Sequence, residues 1–246
     1  SRGGTAIFND DAYPQQPWGG LEGYLEENQE SLFMINLESP LGILPADLTD
    51  DQSGWILCAD PTEVQILKKG GIDLVTAANN HALDCQASAP HTKENPLLLS
   101  EIENVGGDNP LQLINWNGKQ VAMFALDDVS GQVDVAAFAE QIHAARSTSD
   151  LVVVSIHWGT EYRVGPTQRQ QTLSQELVNA GADLVWGHHP HVLQRMEWIT
   201  SEKDGHEGLV MYSLGNLLAD QWMLPETQRS VLIRVEFTNH IINAIL

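Results

Sequence analysis

The sequence predicts an α/β fold, and two patterns predict it. Short apolar runs rich in Val, Ile and Leu alternate with segments that carry helix starts and stops. Three of those runs open with Asp-Leu-Val, at Asp73, Asp150 and Asp183, and each is followed by a histidine within eight residues. Ligands of α/β sheets bind beyond the carboxyl ends of the strands, so the chemistry is expected just after these runs.

Residues 32–37 read as a buried strand entering a loop at Glu38-Ser39-Pro40. Asp60-Pro61-Thr62-Glu63 is a helix start: Asp60 caps, Pro61 suits the first turn and Glu63 closes a capping box. That helix turns Val64 and Leu67 inward and stops at Gly70-Gly71. A strand over 72–76, a helix over 96–104 ended by Gly106-Gly107, and a strand over 120–126 follow. Residues 135–145 read as a helix, and the unbroken run 151–156 as a strand covered on both faces. Residues 167–179 form a helix with Leu173, Leu177 and Val178 inward and Gly181 as its stop. Strands over 183–186, 209–214 and 230–237 complete the set. No repeat or linker divides the chain, so residues 1–246 read as a single domain.

Composition narrows the partners. With 33 acidic and 12 basic side chains the net charge is −21, which excludes a protein that tracks nucleic-acid phosphates. The same charge disfavours an anionic membrane surface, and no apolar run approaches the roughly 20 residues of a membrane span. No direct membrane insertion is expected of this chain. Two cysteines cannot build a multi-disulfide framework, and Cys58 and Cys85 read as free thiols in preference to a disulfide. The chain opens Ser1-Arg2-Gly3-Gly4, as if an upstream segment with any signal peptide or anchor had been removed.

The histidines carry the functional signal. The three Asp-Leu-Val runs lead to Ala78-Asn79-Asn80-His81, to His157-Trp158-Gly159 and to Gly187-His188-His189-Pro190-His191. A lone histidine in such a place is usually structural, but five of nine after buried strands point to a metal centre. His189 and His191 on one loop cannot both pack into a core, because each ring needs partners for two nitrogens. Imidazole suits Zn, Fe, Mn or Ni, and a shared carboxylate suits a two-metal cluster. Glu38 supplies such a carboxylate and Asn80 an amide oxygen, leaving His81 as a general acid that Asp84 orients. The bland readings are a surface turn for Glu38 and a solvent-facing helix start for Asp84. Trp158 and Trp186 would wall the site, while Trp18, Trp55, Trp116, Trp198 and Trp222 read as packing or rim residues. His91, His143, His206 and His240 read as surface residues.

Five segments together resemble one family. They are Asn36-Leu37-Glu38-Ser39-Pro40, Ala78-Asn79-Asn80-His81-Ala82-Leu83-Asp84, His157-Trp158-Gly159-Thr160-Glu161-Tyr162, Gly187-His188-His189-Pro190-His191-Val192-Leu193-Gln194 and Tyr212-Ser213-Leu214-Gly215-Asn216. In this order they are similar to the motifs of the CapA/PgsA proteins of capsule and poly-γ-glutamate biosynthesis, whose fold is similar to that of calcineurin-like metallophosphoesterases. The resemblance implies a four-layer α-β-β-α sandwich and up to two divalent ions (Mn, Fe or Zn). It implies that Glu38 bridges, that Asn80, His157, His189 and His191 ligate, and that His81 protonates the leaving group. The family's Gly-His-x-His can be aligned on His188 or His189; His189 and His191 keep the one-residue spacing. Glu161 and Arg163 would contact substrate, or else form an ion pair at the loop rim.

The family begins with a strand ending in a Gly-Asp ligand. Here Arg2-Gly3 resembles the stretch just after it, and Asp10 and Asp11 are poor substitutes: either that first strand is missing from this sequence or this member lacks that ligand, and both leave the second ion without one of its ligands. The resemblance implies a metal-dependent hydrolase acting on a phosphoester, or on an amide or ester of a cell-surface polymer. Its alternative is a non-catalytic subunit that binds metal or polymer within a membrane synthesis complex. Either implies an extracytoplasmic or cell-envelope location.

Overall fold

The three Asp-Leu-Val starts do one structural job, three times. Asp73 accepts the backbone N–H of Phe33 at 2.8 Å and donates its own N–H to the Phe33 carbonyl at 3.0 Å. Asp150 makes the same reciprocal pair with Gln120, at 2.9 and 2.8 Å. Asp183 makes it with Val152, at 2.7 and 2.9 Å. Each carboxylate thus satisfies a backbone donor at the entry of the neighbouring parallel strand, where the ladder has not yet begun.

The computed structural model describes residue 18 and residues 30–44, 56–85, 96–107, 109–219, 221, 224–238 and 241–245. They fall into two compact units, one of residues 1–108 with 218–220, the other of 109–217 with 221–246. Arg2, Gly3, Asp10, Asp11, Trp55, His91, Trp222 and His240 lie outside the described residues.

In the first unit, β1 (Met34–Asn36), β2 (Leu74–Thr76) and β3 (Glu103–Val105) form a parallel sheet in that order. A 3-10 turn over Pro61–Glu63 leads into α1 (Val64–Lys69). Asp60 caps it through the N–H of Thr62 rather than through a capping box with Glu63, and Gly71 leaves the helix end at φ +65°. Val64 and Leu67 are buried as expected. Trp18 is buried too, donating its indole N–H to the Ile66 carbonyl at 2.8 Å. The helix expected over 96–104 is only α2 (Pro96–Leu99), because the backbone turns left-handed at Glu101 (φ +61°) and continues as β3.

The second unit holds a six-stranded sheet in the order β4 (Leu111–Trp116), β5 (Lys119–Asp127), β6 (Leu151–His157), β7 (Leu184–His188), β9 (Glu207–Met211), β8 (Met196–Thr200). The four central strands are parallel and the two edges antiparallel. α3 (Val135–Thr148) and α4 (Gln168–Ala180) pack Ile142, Leu173, Leu177 and Val178 onto Phe124, Val154, Ile156, Val185 and Tyr212. Each fully buried aliphatic side chain there contributes about 1.5–3 kcal/mol. A capping box joins Thr167 and Gln170 at the start of α4, and Gly181 stops it at φ +111°. β10 (Arg234–Thr238) and β11 (Ile241–Ile245) form a hairpin of their own.

Beneath this sheet Asp183 sits in a charge cluster. Burial pushes its carboxyl up, while the Val152 N–H, Arg146 and His206 pull the other way. His206 is therefore a half-buried partner of Asp183, 3.5 Å away, and not the surface residue its sequence context predicts. His143 is exposed.

Candidate metal centre

β6 and β7 deliver two histidines side by side, with His157 and His188 paired in register at the carboxyl ends of the strands. Strand alternation puts Val153, Ser155 and His157 on one face and Val154, Ile156 and Trp158 on the other. Trp158 accordingly lies in the core with α4, fully buried, and donates its indole N–H to the Tyr212 carbonyl at 2.9 Å. It does not wall the histidines as the sequence predicts. Trp186 does stand beside them, edge-on to His188 with centroids 5.6 Å apart.

The histidine run works because of the backbone around it. A Cβ at Gly187 would stand 2.2 Å from the Trp158 indole nitrogen and 2.3 Å from the Tyr212 carbonyl oxygen, so only glycine fits. The chain then leaves β7 with His189 at φ +100° and His191 at φ +56°. Left-handed backbone is rare away from glycine and is retained where its surroundings hold it. The two turns bring the rings of His189 and His157 to 4.7 Å and those of His189 and His191 to 6.0 Å. One ligand atom from each of Glu161, His189 and His191 lies within 4.8 Å of the others. Glu161 and Arg163 occupy an exposed loop, and the Arg163 guanidinium donates to the Gly165 carbonyl at 3.1 Å.

Neighbouring groups fix ring tautomers. The Asn216 side-chain nitrogen donates to the Thr227 carbonyl at 3.1 Å, and a carbonyl can only accept. Its oxygen therefore faces His191 Nδ1 at 2.8 Å, which must carry the proton and leaves the Nε2 lone pair of the neutral ring for a ligand. His157 and His188 meet Nδ1 to Nδ1 at 2.6 Å, and His188 Nε2 meets Ser155 Oγ at 2.8 Å. When His157 ligates through Nε2, its Nδ1–H donates to His188, whose Nε2–H donates to Ser155. His188 then supports a ligand, with both of its nitrogens turned to protein groups. Ser155 and this role of His188 are not apparent in the sequence, and Asn216 stands there only as the end of the Tyr212–Asn216 motif, with nothing local to mark it as a partner of His191.

The first unit organises Glu38, Asn80, His81 and Asp84 in the loops after β1 and β2. Buried Asn79 donates to the Leu37 carbonyl at 3.0 Å and accepts the His81 N–H at 3.0 Å, stapling the Glu38 loop to the Asn80-His81 turn. Asn79 is thus a supporting residue between the two loops. His81 Nδ1 lies 2.7 Å from Asp84 Oδ2, and the same oxygen accepts the Leu57 N–H at 2.7 Å. Glu38 and Asn80 are both half-buried. Cys58 and Cys85 form a disulfide with Cα atoms 5.3 Å apart, correcting the free-thiol expectation. The bond ties the turn carrying His81 and Asp84 to the segment carrying Leu57.

The donor types fit a divalent ion. Imidazole nitrogens with fixed tautomers and carboxylate oxygens suit Zn, Mn or Fe, and the spacing of Glu161, His189 and His191 permits a shared ion.

The sequence matches the family described as bacterial capsule synthesis protein PGA_cap over residues 3–221, which run through both units. The chain belongs to this family. It is 31% identical over 202 residues to the capsule biosynthesis protein CapA of Bacillus anthracis, covering 72% of this chain and 47% of that protein. It is 31% identical over 192 residues to the PGA biosynthesis protein CapA of Bacillus subtilis (strain 168), covering 70% of this chain and 48% of that protein. The PGA_cap chain thus spans about half the length of these relatives. In fold it is similar to a phosphatase from Mycoplasma pneumoniae, with a TM-score of 0.54, 13% identity, and coverage of 87% of this chain and 68% of that one. The chain shares the α/β fold of that protein.

Proposed function

We propose that this chain is a metal-dependent hydrolase of the cell envelope, cleaving a phosphoester, or an amide or ester of a cell-surface polymer. The observation that carries it is the gathering of His157, His189 and His191 at the carboxyl ends of β6 and β7. On the motif resemblance alone, Glu38 and Asn80 complete the ligand set, and residues 1–246 act as one functional domain.

A divalent ion held by these residues would supply Lewis-acid polarisation and lower the pKa of a bound water toward neutrality. The chain's own acid is His81. Asp84 occupies its Nδ1, so the proton it gives to the leaving group is the one on Nε2. Arg163 on the exposed rim meets the anionic part of the substrate. The disulfide supports an oxidising compartment outside the cytoplasm. Among the described residues no helix is long and apolar enough to cross a membrane. A net charge of −21 repels a long polyanion, which favours a compact substrate or a locally neutral stretch of polymer.

The test is hydrolysis of a panel of phosphomonoesters, phosphodiesters and γ-glutamyl amides by the full-length, Mn-loaded protein and by its His81→Ala variant. His81→Ala is expected to lower the rate about 10²- to 10⁴-fold with metal content unchanged. A metal-loaded wild type that cleaves nothing on the panel contradicts the enzyme reading.

A further inference from the structure

Resting on the metal-site reading above, we propose that Glu161 is itself a metal ligand, forming with His189 and His191 a set of two imidazoles and one carboxylate. From its sequence context, Glu161 is expected either to contact substrate or to form an ion pair at the loop rim. The structure puts a Glu161 carboxylate oxygen within 4.8 Å of ligand nitrogens of both histidines, near enough for a small side-chain adjustment to bring all three onto one ion at about 2.0–2.2 Å.

The loop is built to keep it there. Tyr162, the next residue, has φ +62°, a left-handed conformation that a bulky aromatic residue rarely adopts. Its N–H donates to the carbonyl of Pro190, the residue between the two histidines, at 2.8 Å. Its ring lies 6.2 Å from that of His191. One residue further, the Arg163 carbonyl accepts from buried Gln194 at 2.7 Å, and Gln194 is held in turn by Gln170 of α4 at 3.0 Å. Gly159, at φ +93°, starts the loop where a Cβ would stand 2.7 Å from the Gln170 side chain. The Glu161 backbone is thus fastened to the loop that carries His189 and His191. A carboxylate that only meets passing substrate needs no such fixed registry with two imidazoles. Two imidazoles and a carboxylate are a donor set for Zn, Mn or Fe(II).

The test is titration of the metal-stripped, full-length protein with Mn(II) and separately with Zn(II), reading affinity by calorimetry and stoichiometry by elemental analysis. Wild type is compared with Glu161→Gln, Glu161→Ala and the exposed Glu202→Gln as control. Thermal unfolding of the stripped forms confirms folding. Glu161→Gln and Glu161→Ala are expected to lose one equivalent of metal or to bind it about tenfold or more weakly, with Glu202→Gln like wild type. Unchanged stoichiometry and affinity, with only a raised KM for a cleaved substrate, overturns the ligand role and leaves the hydrolase reading standing. A wild-type protein that binds neither ion overturns both.

Discussion

His191 donates its Nδ1–H to the Asn216 side-chain oxygen across 2.8 Å, because the other end of that amide is committed to the Thr227 carbonyl. This bond selects the tautomer in which Nε2 of His191 offers a lone pair. Asn216→Ala is therefore expected to weaken Mn(II) or Zn(II) binding about 10- to 100-fold. Asn216→Asp, which keeps an acceptor against Nδ1, should retain most of the affinity. Calorimetric titration of the two variants checks this, and an alanine variant with wild-type affinity would show the bond to be incidental.

The Cys58–Cys85 bond closes a loop between positions 27 apart and joins the segments that share Asp84. Chain-entropy arguments give a disulfide over such a loop about 3–4 kcal/mol. Denaturant unfolding with and without reductant, repeated on Cys58→Ser, should show a loss of that order. The same treatments should slow turnover, since the Leu57 N–H that steadies Asp84 against His81 is no longer anchored. Equal midpoints in both conditions would contradict the clamp.

Asp73 gives a pH dependence with a definite sign. Burial raises its carboxyl pKa, and the Phe33 N–H only partly opposes this. A carboxyl whose pKa is raised on folding binds its proton more tightly in the folded state. Its stabilisation is fully present below the ordinary carboxylate range and is lost as pH rises through the raised folded value. Asp73→Asn keeps an acceptor for Phe33 but does not ionise. Denaturation midpoints from pH 3 to pH 7 should show the variant gaining on wild type as pH rises; a constant difference would contradict the account.

Much of this organisation is legible in the sequence because local rules and tertiary packing agree. The parallel strands at 74–76 and 151–157 are buried on both faces and are mostly apolar, and 184–188 opens with buried Leu184 and Val185. α4 carries its own cap and stop. The edge strands β4 and β8 escape notice because Gln112, Asn115 and Glu197 interrupt their apolar pattern. The Asp-Leu-Val recurrence is visible, yet its meaning depends on the entry of the adjacent strand, which sequence order does not reveal. The histidines stand out by their placement after strands. Asn216, 25 positions from His191, becomes a partner only once the fold brings it there. The Cys58–Cys85 pair likewise depends on a 5.3 Å approach of Cα atoms that spacing alone does not dictate.

The most direct test of the central claim is the metal content of the full-length protein, purified without chelator and measured beside His157→Ala, His189→Ala and His191→Ala. The account predicts at least about one equivalent of Mn, Fe or Zn in wild type and marked loss in each variant whose apo form still folds. Wild-type protein that takes up no divalent ion after incubation with all three would contradict it.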